Sequence, residues 1–168
     1  MVEADDFGFR IEPSEARDLC VLGQTLKAAA AEQLPVAFPG NPDMPGITNT
    51  AFTGPLRREN GQLIARNTVV VSPGRCDRSP CGTGSSARLA LLHARGQMRP
   101  GEALIHESIT GSRFTCAIDG LAEVGPYPAV IPAIAGQAWI TGLYQMGMAP
   151  TDPYPHGFTL SDTWLEEA

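Results

Sequence analysis

The sequence predicts an α+β domain built mostly from antiparallel strands. Three observations lead there. Glycine (18) and proline (15) are abundant, as in chains of short strands joined by turns. Only two segments carry helical periodicity, Pro13 to Leu34 and Gly84 to Arg95. Around them strand-like runs follow one another without the regular alternation of a β-α-β sheet. With 168 residues the chain reads as one domain, 1–168, with a sizeable core.

The elements follow in order. Phe7 to Ile11 (FGFRI) alternates and reads as a strand. From Pro13 onward, Leu19, Leu22, Leu26, Ala29 and Ala30 recur at helical spacing, which predicts a surface helix with one buried face. Cys20 is most simply a small hydrophobe there. Phe38 to Gly46 (FPGNPDMPG) is a loop. Ile47 to Leu56 and Gly61 to Gly74 read as two strands with a turn near Arg58 to Gly61. The β-branched run Thr68 to Val71 marks the second as central.

The helix over Gly84 to Arg95 is apolar nearly all round, which predicts burial on most sides with strands bending about it. Gly96 is its stop. Four more strands are expected in Glu102 to Ile109, Ser112 to Asp119, Ala129 to Gly136 and Ala138 to Met146. Gly111-Ser112 and Gly136-Gln137 are their turns. Cys116 alternates with Phe114 and Ile118 and is expected in the core, as is Trp139. The tail is irregular, with Trp164 as an anchor.

Composition narrows the function. A net charge of −6 without a basic block argues against a nucleic-acid partner. No apolar run is long enough to span a bilayer, and the start, MVEADDFGFRIEP, does not resemble a signal peptide. A cytoplasmic location and reduced cysteines are therefore expected. The four cysteines and three histidines lack metal-ligand spacing, so no metal is expected.

The chemistry concentrates in Asp77 to Gly96, DRSPCGTGSSARLALLHARG, where Cys81 stands between Pro80 and Gly82-Thr83-Gly84. The string GTGSSA matches a dinucleotide fingerprint, but the preceding strand ends about ten residues too early. A phosphate loop lacks its lysine. An anion cradle fits better: the N–H groups of Gly82, Thr83 and Gly84 at a helix start favour a carboxylate. The same field lowers the pKa of a thiol there. Such a thiol could take a proton from the carbon next to that carboxylate, with Asp77 placed to pair with an amine. Spacing alone still leaves a buried structural Cys81 as the simpler reading.

The string D-R-S-P-C-G-T-G resembles the second active-site motif of the proline racemase family, which includes 4-hydroxyproline 2-epimerases and trans-3-hydroxyproline dehydratases. QLPVAFPGNPDMPGITNTAFTGPL, HESITGSRF and SDTW resemble the second half of that family. The resemblance implies a diaminopimelate-epimerase-like lobe, a strand-rich barrel around a central helix. It implies a cofactor-free isomerase in which two thiols face the substrate α-carbon from opposite sides. Cys81 matches one base, Asp77 the residue holding the amino group, and Gly82, Thr83 and Gly84 the carboxylate cradle. A cysteine at this position looks like the racemases and epimerases, since the dehydratases usually carry threonine. The wording looks closest to the hydroxyproline epimerases, with a proline racemase lobe or a non-catalytic carboxylate-binding remnant as alternatives. The first lobe, with its M-C-G-H-G-like motif, has no counterpart here. The chain is therefore expected to be a second lobe, inactive alone, that self-associates or meets a first-lobe partner. Its substrate would be an amino acid, hydroxyproline or proline.

For His106 packing is expected. Glu107 reads equally as a hydrogen-bonding support for the site or as a satisfied strand carboxylate.

Overall fold

A computed structural model of the chain describes residues 1–34, 36–41, 43–44 and 46–158. The chain falls into two units, Met1–Gln137 and Ala138–Ala168.

In the first unit the strands are β1 (Val2–Glu3), β2 (Thr50–Thr53), β3 (Arg57–Glu59), β4 (Gln62–Val71), β5 (Arg75–Cys76), β6 (Ala103–Glu107), β7 (Arg113–Val124) and β8 (Tyr127–Ala135). The helices are α1 (Ala16–Gln33) and α2 (Gly82–Ala94). Strand β4 is the hub. It pairs antiparallel with β2, β3 and β5 and parallel with β6. Asn60 and Gly61 both have positive φ, which makes the tight β3–β4 hairpin of an Asn-Gly turn. Strand β2 lies within the first expected strand, Ile47 to Leu56, which breaks at Gly54-Pro55-Leu56, and β3 is a further short strand where the expected turn begins. At the break the Gly54 N–H still donates to the Arg66 carbonyl at 2.8 Å.

Side chains alternate across β4, so its two faces serve different cores. Leu63 and Ala65 pack with Leu89 and Leu92 of α2, together with Met98, Leu104, Cys116 and Ile118. Val70 packs with Leu19 of α1, Phe52, Ile11 and Ile109. The two helices thus lie on opposite faces of one sheet. Gly23 permits α1 to approach: a Cβ there would stand 2.8 Å from that of Val70. Thr68 to Val70 are buried and β4 is central, as the β-branched run predicts.

Several expectations are corrected. The sheet is mostly antiparallel but does not close into a barrel; its path runs β1-β2-β4-β6-β7-β8 and leaves both ends unpaired with each other. Helix α2 is accordingly buried on one face only, through Gly84, Ser85, Arg88, Leu89 and Leu92, while Gly82, Thr83, Ala87 and Ala94 are exposed. Its buried face also carries a charge. The Arg88 guanidinium donates to Glu3 and Thr53, both at 3.3 Å, and ties α2 to the first two strands.

Phe7 to Ile11 is not a strand. Ala4–Phe7 forms a 3-10 turn closed by Gly8 at φ 76°, whose N–H bonds Asp5. Val2–Glu3 instead takes the sheet edge, parallel to β2. Strand β5 was missed because it is two residues long and directly follows the turn at Ser72 to Gly74.

The Gly111-Ser112 turn joins β6 to β7, and Cys116 is fully buried. The next hairpin turns at Gly125-Pro126, not at Gly136-Gln137. In the second unit the described residues 138–158 form no strand, and Trp139 is 72% exposed rather than in a core. Tyr154 and Phe158 make a tilted ring contact at 5.0 Å. The expectations for SDTW and Trp164 lie outside the described residues. No helix among the described residues is long and apolar enough to cross a membrane.

Candidate active site

The segment from β5 to α2 is a short loop crossing the end of β4, pinned at nearly every residue. Asp77 donates its N–H to the Val69 carbonyl at 2.8 Å, extending the pairing of β5 with β4. One Asp77 carboxylate oxygen accepts from both the N–H and the hydroxyl of Ser79, each at 2.9 Å. Ser79 Oγ in turn accepts the Cys81 N–H at 3.0 Å. The Pro80 carbonyl accepts from Asn67 Nδ2 at 2.9 Å and Ser85 Oγ at 3.1 Å. Ser85 Oγ also contacts His106 Nδ1 at 2.8 Å. Asn67, Ser85 and His106 are all buried.

These contacts hold Cys81 in an unusual backbone shape, φ 62° and ψ 119°. A non-glycine residue there costs on the order of 1–3 kcal/mol and persists only when its surroundings impose it. The consequence is the direction of the thiol. Cys81 stands at the N-cap of α2, and its Sγ accepts the Gly84 N–H at 3.4 Å and meets Thr83 Oγ1 at 3.4 Å. The Gly84 N–H is therefore turned to sulfur rather than to solvent. Gly82 and Thr83 are exposed at the helix start, where first-turn N–H groups have no intrahelical acceptor.

Gly84 has a steric role as well. A Cβ there would lie 2.6 Å from Val69 Cγ2 and 3.3 Å from Cys81 Cβ. No side chain fits between the helix and β4 at this position. At Gly82 a Cβ would meet nothing within 4 Å. An open cavity of about 260 Å³ flanks the start of α2, with Thr83, Gly84 and Ala87 on one wall and Thr48 and Asn49 on another.

HESITGSRF supports the same loop. Its Thr110 hydroxyl donates to the Arg78 carbonyl at 2.9 Å and its Ser112 hydroxyl at 3.4 Å. Ser108 Oγ binds both hydroxyls, at 2.9 and 2.8 Å. Thus two motifs far apart in sequence make one structure, with Arg78 at the join.

His106 is packed, as expected. Burial, and then the charge of Arg88, push its pKa down to about 4, so it is neutral at pH 7. Glu107 does not reach the loop. It is a satisfied carboxylate between Arg113 at 2.6 Å, Arg66 at 3.5 Å and Arg57 at 3.9 Å. Burial raises the pKa of Cys116. Among the described residues no three His, Cys, Asp or Glu side chains gather as metal ligands do. Sequence reasoning missed Asn67, Ser85 and Thr110. Asn67 sits in a strand, Ser85 in a helix and Thr110 in the β6–β7 turn, and only their tertiary partners reveal them.

Fold and loop together place a cysteine at the N-terminus of a helix that packs against an open, mostly antiparallel sheet. Comparison with known proteins narrows this. The proline racemase family model matches residues 1–159. A hydroxyproline epimerase from Agrobacterium vitis, solved with bound trans-4-OH-L-proline, is 38% identical with a TM-score of 0.79. A probable proline racemase from Agrobacterium radiobacter K84, solved with bound carbonate, is 36% identical with a TM-score of 0.78. Each comparison covers 97% of this chain but only 46% and 47% of the respective solved chains. The chain thus spans less than half the length of either. It belongs to the proline racemase family.

Proposed function

We propose that this chain carries one half of the site of a cofactor-independent amino-acid epimerase acting on 4-hydroxyproline or a close proline relative. Cys81 is one of two thiol bases. As thiolate it removes the α-proton, or as thiol it delivers one, while a second base on the other face of the carbon does the reverse. Asp77 holds the substrate ammonium. The N–H groups of Gly82 and Thr83 hold its carboxylate, and the Gly84 N–H supports the sulfur when it is charged. The second base belongs to a first lobe outside this chain.

The strained backbone of Cys81, which turns its sulfur into the first turn of α2, carries this reading. A cysteine that only filled space in the core would not need φ 62°. The choice of hydroxyproline is supported by the ligand bound in the Agrobacterium vitis epimerase.

A single base can remove and return a proton on one face only, which restores the starting configuration. The purified chain is therefore expected to give no inversion of trans-4-hydroxy-L-proline by polarimetry. Mixed with a first lobe bearing an M-C-G-H-G-like motif, it is expected to invert the α-carbon, and Cys81→Ser abolishes this. Sustained turnover by the chain alone that is lost in Cys81→Ser would overturn the division of bases. Turnover of the mixture that survives Cys81→Ser would overturn the role of Cys81.

A further inference from the structure

Two cysteines outside the site face each other. Cys20 on α1 and Cys76 on β5, 56 residues apart in sequence, bring their Sγ atoms to 3.4 Å. Both are half-buried at the edge of the core between α1 and the sheet. Cys76 also directs its Sγ to the Ala16 carbonyl, at 3.7 Å. Packing of two small hydrophobes would not require the sulfurs to meet.

The other two thiols are placed elsewhere. Cys81 is engaged in the first turn of α2, and Cys116 is buried in the core on the opposite face of the sheet. Burial, and then the thiol of Cys76 beside it, push Cys20 up to about 11, so it remains a thiol at neutral pH. The pair is thus two sulfurs in contact, apart from the thiols engaged in α2 and in the opposite core.

We propose that Cys20 and Cys76 form a reversible intrachain disulfide, made by hydroperoxides and undone by small dithiols. In the first step one of the two sulfurs gives up its proton and, as thiolate, attacks the peroxide. The O–O bond breaks, sulfur takes one oxygen as a sulfenic acid, and an alcohol or water leaves. In the second step the other sulfur attacks the sulfenic sulfur, the S–S bond forms, and water leaves with its proton. Two electrons pass from the sulfur pair to the peroxide. An S–S bond of about 2.05 Å needs the sulfurs to close by about 1.4 Å from their 3.4 Å contact. Strand β5 can supply much of this movement. It is two residues long, pairs with β4 at Val70 and Val71, and is extended by one further bond, from the Asp77 N–H to the Val69 carbonyl. Because Asp77 follows Cys76 directly, the bond would tether the start of the D-R-S-P loop to α1.

The test is peptide mapping of the intact chain after hydrogen peroxide, with free thiols blocked by an alkylating agent. Trypsin places the cysteines on separate peptides: 18–27 for Cys20, 76–78 for Cys76 and 79–88 for Cys81. The expected product is 18–27 linked to 76–78, reversed by dithiothreitol and formed in preference to all other pairings. Its melting temperature should rise by about 5–10 °C, as closing a long loop predicts. A linkage of 76–78 to 79–88, mainly intermolecular bonds, or recovery of both peptides alkylated would overturn the proposal. A second measurement avoids mutation altogether. Phenylarsine oxide, which bridges adjacent thiols, should bind once per chain and protect 18–27 and 76–78 from alkylation; protection of neither would also overturn it.

Discussion

Gly84→Ala tests the packing that seats the helix carrying Cys81. The added methyl would lie 2.6 Å from Val69 Cγ2, where carbon atoms ordinarily keep about 3.5–4.0 Å. Val69 cannot yield easily, being 2% exposed on the central strand. Overpacking of this kind costs about 1–3 kcal/mol. Alanine's better helix propensity returns up to about 1 kcal/mol. The net expectation is a loss of about 1–2 kcal/mol, or roughly 2–8 °C in Tm for a chain of this size. Urea unfolding followed by circular dichroism measures it. Removing Cγ2 with Val69→Ala should relieve the clash, so the double variant is more stable than the two single losses predict by at least about 1 kcal/mol. Gly82→Ala is the control: with open space around its Cβ, it should change stability by less than about 0.5 kcal/mol. If Gly84→Ala instead stabilises, or if its effect simply adds to that of Val69→Ala, the close approach of α2 to β4 is refuted.

Other perturbations follow from the same geometry. Because His106 titrates at about 4 in the fold against 6.5 ordinarily, the unfolded chain binds its proton first as pH falls. Its contribution, about 3 kcal/mol, is complete above pH 6.5 and lost progressively down to about pH 4. Unfolding free energies of wild type and His106→Leu at several pH values should therefore converge toward pH 4; parallel curves would contradict a buried neutral imidazole. Glu107→Gln leaves Arg113 and Arg66 without their carboxylate and should cost about 1–3 kcal/mol in urea unfolding, because hydrogen bonds to a charged group are lost. A change under about 0.5 kcal/mol would show the arginines to be satisfied by water.

Local chemistry was legible in the chain itself. Small residues and glycines ahead of an apolar run put Cys81 at the N-terminal end of α2 and placed the helix start at Gly84, two residues after its actual start at Gly82, because helix initiation depends on neighbours within one turn. The β-branched run Thr68 to Val71 identified the hub strand, and alternation identified Cys116 as core. Pairing was much less legible. Phe7 to Ile11 and Ala138 to Met146 both look like strands, but an alternating pattern shows only that a segment could fill a sheet. Whether it does depends on a partner distant in sequence, and the sheet edge beside β2 went to Val2–Glu3.

The motif at 77–84 by itself determined which groups stand together: a carboxylate, a thiol and a run of small residues at a helix start. Tertiary structure alone decided how they are aimed. Cys81 keeps φ 62° because the Pro80 carbonyl before it is gripped from β4 by Asn67 and from α2 by Ser85, itself in contact with His106 on β6. Arg78 is held in turn from the β6–β7 turn, 32 residues away. A strained backbone cannot be maintained by its own neighbours, which would relax with it. It needs anchors that belong to other rigid elements, and those come together only when the sheet has formed.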